Sequence, residues 1–313
     1  MRKLWMFAFA GALLLTSCGN DKVDLALHLK EGETYKQSTS ATVDMEQEFM
    51  GQKMSTEVNY KGDVDFHVNG MEGDAYDVDV TYKFLSLEMK SPQGTMTFDS
   101  ETVDTTNIMT ELMTKMLQGL KSDSFTIILE KTGKVKEVKG LDVLFENVLG
   151  EFPNVPQMQK EQLKQQMNAS YGEDALKGNF EMLSAIFPEK TVGKGDVWTI
   201  ETQLKAINTS VSTDYHIEEI AGDYIVLKGE TTLTPEDFNE APKLNSIPGD
   251  LNLEGTYTSV IKLDKETGWI IDATMEQDLE GDMKVKMSPA DEEEMSIPMK
   301  MNQKLHITDK EVE

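Results

Sequence analysis

The chain has 313 residues and a formal charge of −26 at pH 7, from 56 acidic against 30 basic side chains. Nucleic acid is excluded as a partner, because its affinity for proteins comes mostly from Lys and Arg meeting phosphates. Arg2 is the single arginine and Cys18 the single cysteine. A mature protein cut before Cys18 therefore has no guanidinium for bidentate recognition, and no intrachain disulfide can form.

Arg2 and Lys3 open onto an apolar run from Leu4 to Leu15, then small residues, then Cys18. A charged start, a short apolar core and a small-residue cleavage site make residues 1–17 a secretory signal peptide. The run is too short to cross a bilayer, which takes roughly 20 residues. Leu15-Thr16-Ser17-Cys18 resembles a bacterial lipobox. That resemblance implies cleavage before Cys18, diacylglycerol on its sulfur and an acyl chain on its new amino group. No other cofactor is expected. Two or more acyl chains anchor stably, since each buried CH₂ contributes roughly 0.8 kcal/mol. By the enteric sorting rule that comes with the resemblance, Gly19 rather than Asp after the cysteine favours the outer membrane. The membrane face stays open between periplasm and cell surface. Cleavage removes two basic and no acidic residues, taking the charge from −26 to −28.

Residues 18–31 read as the lipidated cysteine and a short polar tether. Alternation begins at Tyr35, with Thr39, Ala41, Val43 and Met45 in one phase. Met50-Gly51-Gln52 is a hairpin turn, and Val58, Tyr60, Val64, Phe66 and Val68 form the return strand. Asn69-Gly70 and Glu72-Gly73-Asp74 make the next turn. Tyr76, Val78, Val80, Tyr82 and Phe84 follow, and the apolar phase then switches to Leu85, Leu87 and Met89. Such a switch predicts a β-bulge. A further strand is expected around Thr95–Phe98.

The period changes over 104–121. Met109, Leu112, Met113, Met116 and Leu120 recur at helical spacing, which predicts an amphipathic helix. A strand follows at Phe125–Leu129, then helices over 141–149, 157–166 and 175–187. The last presents Leu176, Phe180, Leu183 and Phe187. Strands resume at Val197, Tyr215–Ile220 and Tyr224–Leu227. Residues 234–255 carry three prolines and read as a long loop of the functional or disordered kind. Tyr257–Leu263 and Trp269–Met275 form a hairpin. Met283–Met287 and Met299–Ile307 are further strands, and 309–313 a frayed tail.

A weak repeat runs through the chain. Gly32-Glu33-Thr34-Tyr35 matches Gly195-Asp196-Val197-Trp198, and Lys131-Thr132-Gly133 matches Lys265-Glu266-Thr267-Gly268. A single β-rich domain over 32–308 is expected, with similar halves at 32–139 and 190–308 and a helical region between them. Strands with one apolar and one charged face form an antiparallel sheet that is wet on one side. The apolar side needs a cover, which the amphipathic helices supply. The fold class read from the sequence is α+β: a strongly curved antiparallel sheet covered by amphipathic helices.

The lipobox, the Gly-x-x-Tyr/Trp strand starts and the interposed helical region resemble a group of uncharacterised bacterial lipoproteins known only as a domain of unknown function. The resemblance supplies no catalytic residues. A curved sheet closed by helices is also similar, in architecture alone, to the half-barrel of periplasmic lipoprotein carriers.

Catalytic motifs are absent from the sequence. His28, His67, His216 and His306 are scattered, and there is no Gly-x-Ser-x-Gly elbow or phosphate-cradling loop. Asp65, His67 and Asn69 precede Gly70, but Tyr76 stands where a calcium loop needs glutamate. No enzyme and no metal site are expected. Met109, Leu112, Met113, Met116, Leu120 and Phe180 either fill the core or line a pliable apolar cavity. Two functions remain. One is a non-catalytic envelope lipoprotein, anchored through Cys18, that binds or supports a protein or glycan partner. The other is a carrier that sequesters a lipid-like ligand between sheet and helices.

Overall fold

The computed structural model describes residues 22–49, 51–102, 108–204, 209–235, 249–285 and 295–309. Twelve strands and four helices occupy them: β1 Thr34–Phe49, β2 Gln52–Glu72, β3 Ala75–Ser91, β4 Gly94–Asp99, α1 Ile108–Ser122, β5 Phe125–Glu130, β6 Val135–Lys139, α2 Leu141–Gly150, α3 Gln157–Tyr171, α4 Glu173–Ser184, β7 Val197–Leu204, β8 Thr209–Ile220, β9 Tyr224–Pro235, β10 Gly249–Asp264, β11 Ile270–Val285 and β12 Met295–Asp309. They build one antiparallel sheet in the order β6-β5-β3-β2-β1-β12-β11-β10-β9-β8-β7, with β4 paired to β3. The chain is mostly β, so α+β describes it only roughly.

The path starts in the middle of the sheet. From β1 the chain meanders outward to the edge strand β6, crosses through α2, α3 and α4, and re-enters at the opposite edge, β7. It then meanders back until β12 lies beside β1, with Thr39 opposite Ile307 and Met45 opposite Met301. Helix α4 packs against both β6 and β7. The two edges of the sheet therefore approach each other closely enough for one helix to bridge them. The sheet curls but does not close, and α4 with the segment after it fills the seam. Trp198 Nε1 donates to the carbonyl of Ile186 at 2.9 Å, and the Val135 amide donates to Glu181 Oε1 at 3.0 Å. Covered edges present no unpaired strand to a neighbour.

The phase of each strand decides which face it buries. Val64, Phe66, Val68, Val78, Val80, Leu227, Ile261 and Ile307 are buried on the inside, together with Leu144 and Phe145 of α2. An aromatic chain crosses this core. Tyr35 meets Trp269 at 4.9 Å between centroids, Trp269 meets Phe66 at 5.3 Å, and Phe66 meets Phe180 at 6.2 Å. The outward phase carries the charges, paired across strands as Lys90–Glu57, Lys300–Glu280 and Lys304–Glu276.

The phase switch in β3 is a bulge: Asp63 pairs Phe84, while Val64 pairs Tyr82, which leaves Lys83 extra. Several expectations differ. Asn69-Gly70 is not a turn; β2 runs through it with a register shift and turns only at Gly73. Met283 belongs to β11 rather than to a separate strand. The stretch after Ser184 leaves the helix, so Phe187 lies buried in the seam segment. Of the long loop, Thr234 and Pro235 continue β9 and Gly249–Gly255 begin β10; residues 236–248 lie outside the described residues.

Residues 22–31 do not hang free as a polar tether. Leu25, Leu27 and Leu29 are buried, each 8% exposed or less. Val23 bridges Val192, the Leu27 amide donates to the carbonyl of Lys131, and the His28 amide donates to that of Thr267. The segment is a strap across one end of the sheet. It is clasped by the Lys131-Thr132-Gly133 and Lys265–Gly268 turns, which the sequence had paired as repeats.

Candidate functional site

Three rows of side chains cross the inner face beyond the buried end, read by strand register. The first contains Tyr215, Ser259, Met275, Leu305, Ala41 and Tyr60. The second contains Thr213, Thr231, Tyr257, Gln277, Gln303 and Val43, and continues to Val58 and Met89. The third contains Val211, Leu233, Leu279, Met301, Met45 and Thr56. None of these residues is charged, although charged residues make up 27% of the chain.

The wall is closed on one side and open on the other. From β8 to β10 it is buried: Thr213 and Thr231 share a hydrogen bond of 2.8 Å, and the Tyr257 hydroxyl donates to Met275 Sδ at 2.7 Å. Burial pushes the Tyr215 hydroxyl up to about 12, against a smaller opposing effect of the neighbouring Thr213 and Ser259 hydroxyls. On β12, β1, β2 and β3, Met301, Gln303, Leu305, Val43, Met45, Val58 and Met89 are only partly buried. Helix α1 packs against β3, β4 and α2, and α4 against β6, β7 and α3. Among the described residues the helices pack chiefly on the outer strands β3, β4, β6 and β7 of the sheet rather than on its central strands.

The residues singled out on helices lie on α1 and α4 and pack against one core. Met116 of α1 is buried, and Leu112, Met113 and Leu120 pack partly buried against the core. Gly119 lets α1 approach Val148 of α2. Phe180 of α4 sits instead between Phe66 and Phe125, each at 6.2 Å. The side chain of Met109 and all of Cys18 lie outside the described residues. A partly exposed apolar surface thus lies on the sheet as well as on the helices. Its signal in the sequence was the shared phase of Met299 and Met301, together with Gln277 and Gln303 in an otherwise apolar phase.

The outer face offers different chemistry. A cleft of about 470 Å³ lies at the far ends of β1, β10, β11 and β12, lined by Glu46, Glu48, Lys53, Glu254, Glu280 and Lys300 among others. Its lining mixes these charges with Gln47, Pro298 and Met299. His306 Nε2 lies 3.0 Å from Asp272, and His67 Nδ1 lies 2.9 Å from Thr34 Oγ1. Asp65 pairs with Lys83 and Asn69 donates to Asp77, both along a strand rather than a loop. Among the described residues no group of three or more His, Cys, Asp or Glu could hold a metal ion.

Residues 73–270 match the model of a family of unknown function (DUF6263). The chain belongs to this family. The match runs from the turn before β3 through the helical region to Ile270 and includes Thr213, Thr231 and Tyr257; Gln277 and Gln303 lie beyond it. No curated protein matches the chain. Among solved structures, one of lipovitellin concerned with its lipid–protein interactions resembles the chain with a TM-score of 0.50 at 11% identity, over 91% of this chain. This chain spans 26% of that protein's length, and the likeness is one of fold. An outer membrane channel from Pseudomonas putida F1 aligns over 91% of this chain and 97% of its own, with a TM-score of 0.26 and 8% identity. Among the described residues no helix is long and apolar enough to cross a membrane.

Proposed function

We propose that the protein is a non-catalytic lipoprotein of the cell envelope, held at the outer membrane through Cys18, which binds a lipid-like apolar ligand on the inner wall of its sheet. The observation that carries this reading is the uncharged, partly exposed surface of β12, β1, β2 and β3. Much of the rest of the inner face is buried. Here Met45, Met301 and Leu305 stay partly open, although each buried CH₂ would contribute roughly 0.8 kcal/mol. Methionine suits such a surface, because its unbranched thioether chain adapts to ligands of varied shape. The likeness in fold to lipovitellin agrees with this reading.

The second reading, a scaffold for a protein or glycan partner, draws on the acidic outer face and its cleft. Native mass spectrometry of the chain from Gly19 onward separates the two. A co-purifying lipid, or uptake of an added one, supports the carrier. A clean mass with no uptake leaves the scaffold. For the anchor, Cys18→Ala should abolish incorporation of labelled palmitate and release the protein from membranes. Unchanged retention would refute the lipid attachment.

A further inference from the structure

The middle row of the inner wall has a polarity of its own. Gln277 of β11 and Gln303 of β12 are direct register partners, so their side chains leave neighbouring strands side by side, with Cβ atoms about 5 Å apart. Met275 and Leu279 flank Gln277 in the same phase of β11, and Met301 and Leu305 flank Gln303 in that of β12. Both amides are partly buried, and neither makes a side-chain hydrogen bond among the described residues. Each carries two N–H donors and a carbonyl acceptor. On this partly open wall the two amides are the polar groups that can exchange water for a hydrogen bond to a ligand and so fix its orientation.

The wall also selects by charge. The rows around this pair contain no Lys, His, Asp or Glu, and the mature chain contains no arginine. An ionised carboxylate or phosphate laid here would lose water without gaining a counter-charge, which is strongly unfavourable. An uncharged ester, amide or hydroxyl would lose little, because an amide can replace its water.

Resting on the lipid-binding reading above, we infer that the ligand is a charge-neutral acyl lipid whose ester or amide group is held by Gln277 and Gln303, with its chain along Met45, Met301 and Leu305. Specificity then follows from the pair, and general affinity from the aliphatic surface around it. Binding sites of this kind are mostly apolar, with a few placed polar groups that fix orientation.

Three probes on one pyrene-labelled chain test this: the hexadecanoic acid in its ionised form, its methyl ester, and the corresponding hydrocarbon. The mature chain from Gly19 retains every described residue and is titrated with each. The expected order is ester, then hydrocarbon, then ionised acid, with the ester roughly tenfold tighter than the acid. The double variant Gln277→Leu/Gln303→Leu should weaken ester binding about five- to tenfold, the size of a lost net hydrogen bond, and leave hydrocarbon binding unchanged or tighter. Should that variant fail to fold, Gln303→Asn, one methylene shorter, should lower the ester-to-hydrocarbon ratio, while Glu276→Gln on the outer face should not. Equal affinity for acid and ester overturns the selection by charge. An ester preference that survives both changes overturns the role of the pair. If no probe binds, the lipid-binding reading itself falls.

Discussion

Phe180 joins two walls of the molecule through one ring. It stands on α4 and meets Phe66 of β2 and Phe125 of β5, so it ties the seam helix to the sheet. Phe180→Ala should lower unfolding free energy by about 3 kcal/mol, the lower end for a large aromatic because the ring is only partly buried, read as a reduced urea midpoint. The same residue scale sets the alkaline limit of the fold. Burial raises the Tyr215 hydroxyl from 10.0 to about 12. An acid whose folded pKa is raised contributes stability that is complete below the unfolded value and lost as pH climbs through the folded one. The protein should therefore lose stability between pH 10 and 12, by up to about 1.4 kcal/mol per pH unit for this tyrosine. Tyr215→Phe should flatten the melting temperature across that window by one proton's share. An unchanged slope would mean that Tyr215 titrates equally in both states. Such residues were legible as to face and not as to neighbour. Periodicity put Phe180 on an apolar stripe, but the reading ended the strand at Met275 and so left Gln277 outside it. Which strand supplies the facing ring or amide depends on pairings that periodicity does not encode.

At the scale of elements, most strands, the bulge near Phe84 and the four helices were readable, because each is written in a local period; β6 was not read, and β10 and β11 were read short. The strap was not read either. Leu25, Leu27 and Leu29 alternate as a strand would, but the preceding lipobox-like stretch made a free tether the simpler expectation, and two distant turns hold the segment down. Gly268 tests that clasp. Its φ is +71°, and a Cβ there would meet the carbonyl of Ala26 in the strap. Gly73 also has a positive φ, +68°, with nothing within 4 Å of the added atom. Gly73→Ala should cost only the left-handed backbone penalty, about 1 kcal/mol. Gly268→Ala should cost clearly more and should speed hydrogen exchange at the Leu27 and His28 amides, whose acceptors are Lys131 and Thr267. Equal losses at the two glycines, with strap amides still protected, would show that the strap is held by its leucines and not by the turn.

At the scale of the whole molecule, the permuted meander escaped the sequence because β1 and β12 meet only after the chain has visited both edges. Local repeats suggest two halves, and they cannot say that the halves join through the first strand and the last. The charge pattern was fully legible, and it sets a bulk property. With one face of the sheet charge-free, the acidic excess crowds onto the other. Ion pairs there, such as Lys304–Glu276 at 3.1 Å, are exposed and contribute at most about 1 kcal/mol each. Acids outnumber bases by 56 to 30, so repulsion among unpaired carboxylates outweighs these attractions. Salt screens both, with a Debye length falling from about 30 Å at ~0.01 M to about 8 Å at ~0.15 M. Its larger effect is on the longer-range repulsion. The melting temperature of the chain from Gly19 onward should therefore rise by a few degrees across that range. A fall would mean that the cross-strand pairs, and not the net charge, govern the outer face.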